Sequence, residues 1–249
     1  MIASLMMYAR PQLDEAHLRY WSLIRDNLNR AGIESPEHLS QDVEEFSVWQ
    51  HPELVLSQTC GMPYRTWLHD KVALVGTPDY GLDGCPPGYY RSALVVRADD
   101  PRTNLMAFRE AVFAYNQTFS QSGYAAPYWH LEPHGFWFKH RVQTEGHLKS
   151  AHAVAEGHAD IAALDAVSWR LMAEYEEFAA SLRVLEWTDP TPSLPLITAE
   201  GNDQQAIFTA VERAIAQLDD ADRTALGIKG LVRIPAERYL DVQNPPGSV

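Results

Sequence analysis

Three times in this chain, a short apolar run ends in small polar residues that lead directly into a helical pattern. The first amides of a helix have no partner within the helix, and the helix dipole favours negative charge at that end. A polar turn between a strand and a helix therefore predicts an anion-binding position, and three of them suggest one polar ligand held between strand ends. The three turns are Ser120–Gly123 after Ala111–Tyr115, Thr59–Gly61 after Leu54–Gln58, and Val142–His147 before Leu148–Glu156.

The remaining apolar patterns also alternate between strand and helix, which predicts a parallel α/β fold with right-handed crossovers. A long amphipathic helix is predicted over Asp14–Ala31, with Leu18, Trp21, Ile24, Arg25 and Leu28 on one face. The other predicted strands are Ile2–Tyr8, Val72–Gly76, Tyr90–Arg97, Ile161–Asp165, Leu182–Trp187 and Pro195–Thr198. The other predicted helices are Met62–Leu68, Asn104–Arg109, Ser122–Leu131, Val167–Tyr175, Asp203–Leu218 and Asp219–Leu226.

Length and charge narrow the class of protein. The 249 residues are enough for one large α/β domain or two lobes of about 100 to 150 residues, and two lobes are preferred. A net charge of −13 with scattered Lys and Arg argues against a nucleic-acid partner, which would require clustered basic residues. No stretch approaches the roughly 20 apolar residues of a membrane span. Met1–Met7 is too short for the apolar core of a signal peptide, so the chain as written is expected to be cytoplasmic.

The two cysteines and the histidines allow more than one interpretation. Cys60 and Cys85 form a disulfide in an exported protein or remain thiols in a reducing cytosol, and the sequence does not decide between these. Six of the ten histidines fall between His130 and His158, but their spacing does not place a metal-binding set on one helical face. We therefore expect no metal site and no cofactor.

The order of four groups of segments covers most of the chain and carries a family resemblance. The segments are Leu56–Gly61, Gly88–Val96, Asn116 with Ser120–Tyr124, and Gly146-His147 with Ser150–Asp165. In this order and spacing the chain resembles the phosphate/phosphite/phosphonate substrate-binding proteins of ABC transporters.

This resemblance implies an α/β fold of the type II periplasmic-binding-protein kind, with two α/β lobes joined by a two-segment hinge and a ligand cleft between them. Residues 1–92 and 190–249 would form the first lobe, and residues 93–189 the second. The hinge segments would be Tyr90–Arg97 and Arg183–Pro195. The resemblance also implies a periplasmic or extracytoplasmic location, in contrast to the expectation from Met1–Met7.

The ligand-binding residues follow from the same resemblance. Members of this family hold a tetrahedral oxyanion with hydroxyls and main-chain amides at helix starts. In the second lobe the matching residues are Ser120, Gln121, Ser122, Gly123, His147 and Asp165. In the first lobe and on the hinge they are Thr59, Cys60, Gly61, Tyr90 and Tyr8.

Each of these residues also has a simpler structural interpretation. Ser122, Thr59 and Asp165 could serve as helix caps, and Tyr8 and Tyr90 could belong to the core. Ser122, His147 and Asp165 could also be written as a hydrolytic triad, although each is better used as a ligand contact.

The sequence as a whole favours a non-catalytic, monomeric solute-binding protein for a small anionic or zwitterionic ligand, with a phosphonate- or phosphate-like oxyanion preferred and an ABC permease as partner. The alternatives are a biosynthetic enzyme and a cytosolic ligand sensor on the same two-lobe scaffold. Phosphate, phosphonate, sulfonate and a carboxylated heterocycle all satisfy the helix-start pattern, so the ligand stays open.

Overall fold

The computed structural model describes residues 1–248, and the chain divides into two compact units. The first unit consists of Met1–Tyr89 and Pro192–Asp241. The second consists of Tyr90–Thr191 together with the tail from Val242 onward. The chain thus passes between the units near Tyr90 and Thr191, inside the two predicted hinge segments.

The elements alternate as the apolar patterns predict, with bounds shifted by a few residues. The strands are β1 Ile2–Ser4, β2 Leu54–Gln58, β3 Val72–Asp79, β4 Tyr89–Tyr90, β5 Ser92–Arg97, β6 Val112–Tyr115, β7 His140–Gln143, β8 Ile161–Asp165, β9 Leu182–Trp187, β10 Thr191–Pro192, β11 Leu196–Ala199 and β12 Gly230–Val232. The α-helices are α1 Asp14–Arg30, α2 Glu45–Trp49, α3 Gly61–Pro63, α4 Ala126–Leu131, α5 His147–Ala155, α6 Ala166–Tyr175, α7 Gln204–Gln217, α8 Asp220–Leu226 and α9 Ala236–Leu240. Wide helical turns precede α4 at Gln121–Ala125 and follow α3 at Tyr64–Leu68.

The sheets are mixed, so the prediction of a parallel fold was wrong in this respect. The first unit contains the order β1-β2-β11-β3-β12, in which β11 is antiparallel to both of its neighbours. The second contains β7-β6-β8-β5-β9, in which β5 is antiparallel to β8 and β9. In each sheet one antiparallel strand lies between two strands that are parallel to each other: β5 between β8 and β9, and β11 between β2 and β3. Both antiparallel strands follow a passage of the chain between the units, whereas β8–α6–β9 and β11–α7–β12 are strand–helix–strand crossovers that join parallel strands.

Two local predictions also need correction. The strand predicted over Ile2–Tyr8 ends at Ser4, and a short 3₁₀ helix occupies Met6–Tyr8. In α1, Leu18 is 52% exposed, whereas the buried face is centred on Ile24. At about 100° per residue, Leu18 lies roughly 120° around the helix from Ile24 and so points away from that face.

The tail after Asp241 joins the second unit, whereas the sequence interpretation placed residues 190–249 in the first lobe. The indole Nε1 of Trp129 on α4 donates a hydrogen bond to the Gln243 carbonyl at 3.0 Å. Pro245 is buried, and Ser248 closes a turn onto its carbonyl. These contacts fix the tail on the second unit. Among the described residues, no helix is both long and apolar enough to cross a membrane.

A carboxylate–arginine cluster fixes the loop after β5. Arg102 donates through Nη2 to Asp100 Oδ2 at 2.6 Å and to Asp160 Oδ1 at 2.9 Å, and Asp160 Oδ2 accepts from the Val112 amide. The hydrogen bonds from Arg102 lower the pKa of Asp100 to about 2. A lowered carboxyl pKa stabilises the fold above the unfolded value of about 4, and this stabilisation is lost as the pH falls from about 4 to about 2.

We expect Arg102→Met to lower the free energy of unfolding at pH 7 by about 2 kcal/mol, because it leaves Asp100 buried without its cation. The loss should be below the roughly 3–5 kcal/mol of a fully buried pair, since the Arg102 side chain is 29% exposed. Urea unfolding at pH 7 and pH 3 measures the free energy of unfolding, and Arg109→Met is the matched control because Arg109 is exposed. If the difference in this free energy between Arg102→Met and wild type does not shrink at pH 3, the Arg102–Asp100 pair is not its source.

Candidate functional site

The Ser120–Gly123 turn begins a continuous helical stretch in the second unit. Ser120 is the N-cap residue, and its Oγ accepts a hydrogen bond from the Gly123 amide at 3.0 Å. The Ser120 carbonyl accepts from the Ala125 amide at 3.0 Å, which makes the first turn wider than an α-turn. Ser120, Gln121 and Ser122 are almost fully buried. The turn is therefore a capped helix start in which the Ser120 side chain holds the Gly123 amide.

Ser122 connects this turn to the next helix start. Its Oγ lies 2.9 Å from Nε2 of His147, the first residue of α5. The helix α5 begins after Gly146 without a side-chain cap. Ser92 on β5 donates its hydroxyl to the Ser122 carbonyl at 2.8 Å. The structure thus brings together the Ser120–Gly123 turn and His147, two of the three predicted helix starts.

His147 is neutral at physiological pH. It retains some exposed surface, yet the protein packed around its ring lowers its pKa to about 4 through desolvation. The Ala163 carbonyl acts in the opposite direction. Nδ1 makes no hydrogen bond of normal geometry with the described residues. If Nε2 carries the ring proton, it donates to Ser122 Oγ and leaves the Ser122 hydroxyl proton for another acceptor, whereas the opposite tautomer accepts that proton at Nε2.

The low pKa of His147 predicts a loss of stability on mild acidification. A folded pKa near 4, below the unfolded value of about 6.5, gives stability above pH 6.5 that is lost as the pH falls towards 4. We expect His147→Gln to reduce the difference in unfolding free energy between pH 7 and pH 5. Burial also lowers the pKa of His17, so the difference should shrink without vanishing.

Chemical denaturation at the two pH values measures this effect. His158→Gln is the matched control, because the His158 side chain is 74% exposed. Equal pH dependence in wild type and His147→Gln would show that His147 is protonated as easily in the folded as in the unfolded state.

Asp165 is the N-cap of α6. Its Oδ1 accepts hydrogen bonds from the amides of Val167 at 2.7 Å and Ser168 at 3.0 Å, and the residue is 2% exposed. Asp165 pairs in register with Ser92 on the neighbouring strand β5. The hydroxyl of Ser92 donates to the Ser122 carbonyl. The capping interpretation is confirmed, and any contact with a ligand would add to this role.

The arrangement does not complete a hydrolytic triad. Ser122 and His147 have the spacing of a nucleophile and a general base. A triad also requires an acid that orients the base through its second nitrogen. Asp165 Oδ1 instead binds the α6 amides, and no hydrogen bond joins Asp165 to His147 Nδ1 among the described contacts.

The first-unit residues form a separate set at the end of β2. Cys60 is the N-cap residue of α3, without a side-chain capping bond. Thr59 is fully buried, and its amide donates to the Pro195 carbonyl at 3.0 Å, so the prediction that Thr59 caps this helix was wrong. A Cβ on Gly61 would lie about 4.0 Å from Nη1 of the buried Arg65.

Two polar residues beside this set were missed by the sequence interpretation. Gln58 donates through Nε2 to the Tyr80 hydroxyl and to the Leu194 carbonyl, both at 3.1 Å. The Tyr80 ring packs edge-on against Tyr8 at 5.2 Å. The signal was a glutamine at the end of the apolar run Leu54–Gln58. In the second unit, Tyr90 is 1% exposed and belongs to the core.

The cysteine, histidine and acidic side chains of residues 1–248 form neither a disulfide nor a metal-binding cluster. Neither Cys60, which is buried, nor Cys85 is part of a disulfide. Within residues 1–248, no group of three or more His, Cys, Asp or Glu side chains is arranged to hold a metal ion.

Comparison with known proteins gives a family and a fold. The family model described as "ABC transporter, phosphonate, periplasmic substrate-binding protein" matches residues 67–239. No curated protein matches the chain.

The similar solved structures have different bound ligands. PhnD1 from Prochlorococcus marinus in complex with methylphosphonate is 14% identical, with a TM-score of 0.70 over 96% of this chain and 93% of that one. XAC2383 from Xanthomonas citri bound to ATP is 18% identical, with a TM-score of 0.67 over 96% and 93%. MatC from Rhodopseudomonas palustris with bound malate is 15% identical, with a TM-score of 0.64 over 97% and 98%. At these identities the likeness establishes the two-lobe α/β fold of binding proteins.

Proposed function

The chain belongs to the phosphonate substrate-binding proteins of ABC transporters, and from this premise we propose that its ligand is a small phosphonate- or phosphate-like oxyanion bound at the Ser120–Gly123 turn. The family makes it a solute-binding protein. The nature of the solute and the residues that bind it are our proposal.

The capped helix start beside His147 is the observation that carries this proposal. The Ser122 hydroxyl and the leading amides of the turn are donors within a small volume, and the helix dipole adds favourable potential. Three or four charge-assisted hydrogen bonds contribute about 1.5–3 kcal/mol each. After ordering costs, such a set can reach the roughly 8 kcal/mol of a micromolar site.

We propose that the bound ligand is released unchanged. The Ser122–His147 pair lacks an orienting acid. We propose that the neutral His147 ring donates through Nε2 to Ser122 Oγ, which leaves the Ser122 hydroxyl proton available to an oxyanion ligand. We propose a monomer that delivers its ligand to an ABC permease.

The direct test is a binding screen on the full chain by thermal shift and calorimetry. The probes are methylphosphonate, 2-aminoethylphosphonate, phosphate and phosphite, with malate and ATP as the competing classes. We expect at least one phosphorus oxyanion to bind with micromolar affinity or better, which at 100 times its Kd adds about 2.7 kcal/mol to the folded state. Stabilisation by malate or ATP, without any by the four phosphorus compounds, would overturn the assignment.

The first-unit residues and the hinge complete the proposal. We propose that Thr59, Cys60, Gly61 and Tyr8 add contacts when the units close by rotation about Tyr90–Arg97 and Arg183–Pro195. Contacts made only in the closed form supply the differential affinity that shifts the population. We expect small-angle scattering to show a smaller radius of gyration with saturating ligand. An unchanged radius despite full occupancy would indicate a preformed site.

A further inference from the structure

Asn116 contributes a buried acceptor beside the Ser120–Gly123 turn. It follows directly after β6, and its carbonyl accepts a hydrogen bond from the Glu145 amide at 2.9 Å. Its side-chain Oδ1 is buried and makes no hydrogen bond with the described residues. This oxygen packs directly over Gly123, together with Ser120 Oγ. An acceptor is therefore held against the turn that we assign to the anion.

A buried acceptor without a partner costs about 1–3 kcal/mol, so its presence requires an explanation. Next to an anion, a carbonyl oxygen is repelled by a fully deprotonated oxygen and attracted by a hydroxyl or an ammonium group. An acceptor at this position therefore discriminates between ligands of the same shape by whether they carry a donor.

We propose that Asn116 Oδ1 accepts a hydrogen bond from the ligand, and that the protein therefore selects tetrahedral phosphorus oxyanions that retain a proton over sulfonates and sulfate. This inference rests on the proposed function and narrows its ligand class.

The charges around the turn agree with such a ligand. The residues that we assign to the second-unit site carry no positive side chain, and they include the carboxylate of Asp165. His147 is neutral above about pH 5, because burial lowers its pKa to about 4. Glu145, whose amide holds the Asn116 carbonyl, is exposed. A singly charged anion with one donor fits these surroundings better than a dianion does.

The test compares methylphosphonate with methanesulfonate, which have nearly the same shape. At pH 6 methylphosphonate carries one P–OH group, whereas methanesulfonate has none. We expect wild type to bind methylphosphonate at least tenfold more tightly by calorimetry. The phosphonate affinity should fall between pH 6 and pH 8.5, as the ligand loses its second proton.

Asn116→Ala and Asn116→Ser should both reduce the ratio of the two affinities to less than threefold at pH 6. Asn104→Ala is the matched control, because Asn104 caps a short helix elsewhere in the second unit. Far-ultraviolet circular dichroism and unfolding curves confirm that each variant is folded, and the serine variant serves if the alanine variant does not fold.

The outcomes separate this inference from the proposed function. Two results would overturn the role of Asn116 and leave a phosphonate-binding protein. One is equal affinity of the wild type for methylphosphonate and methanesulfonate. The other is a loss of affinity in the Asn116 variants that is the same for the two ligands. Binding of neither ligand, with none of the four phosphorus compounds binding either, would overturn both.

Discussion

Replacing Ser120 and Ser122 together by alanine should weaken methylphosphonate binding at least tenfold while the protein stays folded. Ser120 Oγ holds the Gly123 amide, and Ser122 Oγ bridges to His147. Losing the Ser122 hydroxyl removes one charge-assisted ligand contact of about 1.5–3 kcal/mol, which by itself corresponds to at least a tenfold loss of affinity. Losing the Ser120 cap costs about 1 kcal/mol of folding stability and loosens the turn that positions the ligand.

Calorimetry on the double variant measures this loss. The matched control is Ser168→Ala with Ser181→Ala, two serines of the same unit outside the turn. Unchanged affinity in Ser120→Ala/Ser122→Ala, with normal binding by the control, would place the ligand elsewhere.

Gly123→Ala should have a larger effect, a loss of about 100-fold in affinity. A Cβ at this position would fall well inside van der Waals contact with Asn116 Oδ1 and 3.2 Å from Ser120 Oγ. The turn or the loop at Asn116 must therefore shift, and overpacking of this kind typically costs about 1–3 kcal/mol of stability. A shift of the turn also moves the amides that we assign to the ligand, so binding should suffer more than folding.

The control is Gly230→Ala on β12 of the first unit, since a Cβ there would meet nothing within 4 Å. Shortening Asn116 relieves the contact, so Gly123→Ala should cost less stability in an Asn116→Ala background. Additive losses of stability in the double variant would show that the two residues do not constrain each other.

Local patterns were enough to locate most elements that carry the site. β2 and β8 occupy the predicted residues, and α5 and α6 begin one residue before theirs. The cap at Asp165 was also predictable, because a buried strand that ends in an acid before a helix has an established local geometry. Thr59 shows the limit of such patterns. Its amide is held by Pro195, a residue 136 positions away in sequence, and that pairing leaves Cys60 as the cap.

The sequence by itself determined the alternation of strand and helix, the polar turn at Ser120–Gly123 and, through the order of its motifs, the family. These features depend on residues a few positions apart. The tertiary structure alone decided that β11 runs antiparallel between β2 and β3, that Ser122 lies against His147, and that Asn116 covers Gly123. Sheet order and side-chain contacts depend on which segments pack together after loop closure, and a local pattern carries little information about its distant partner.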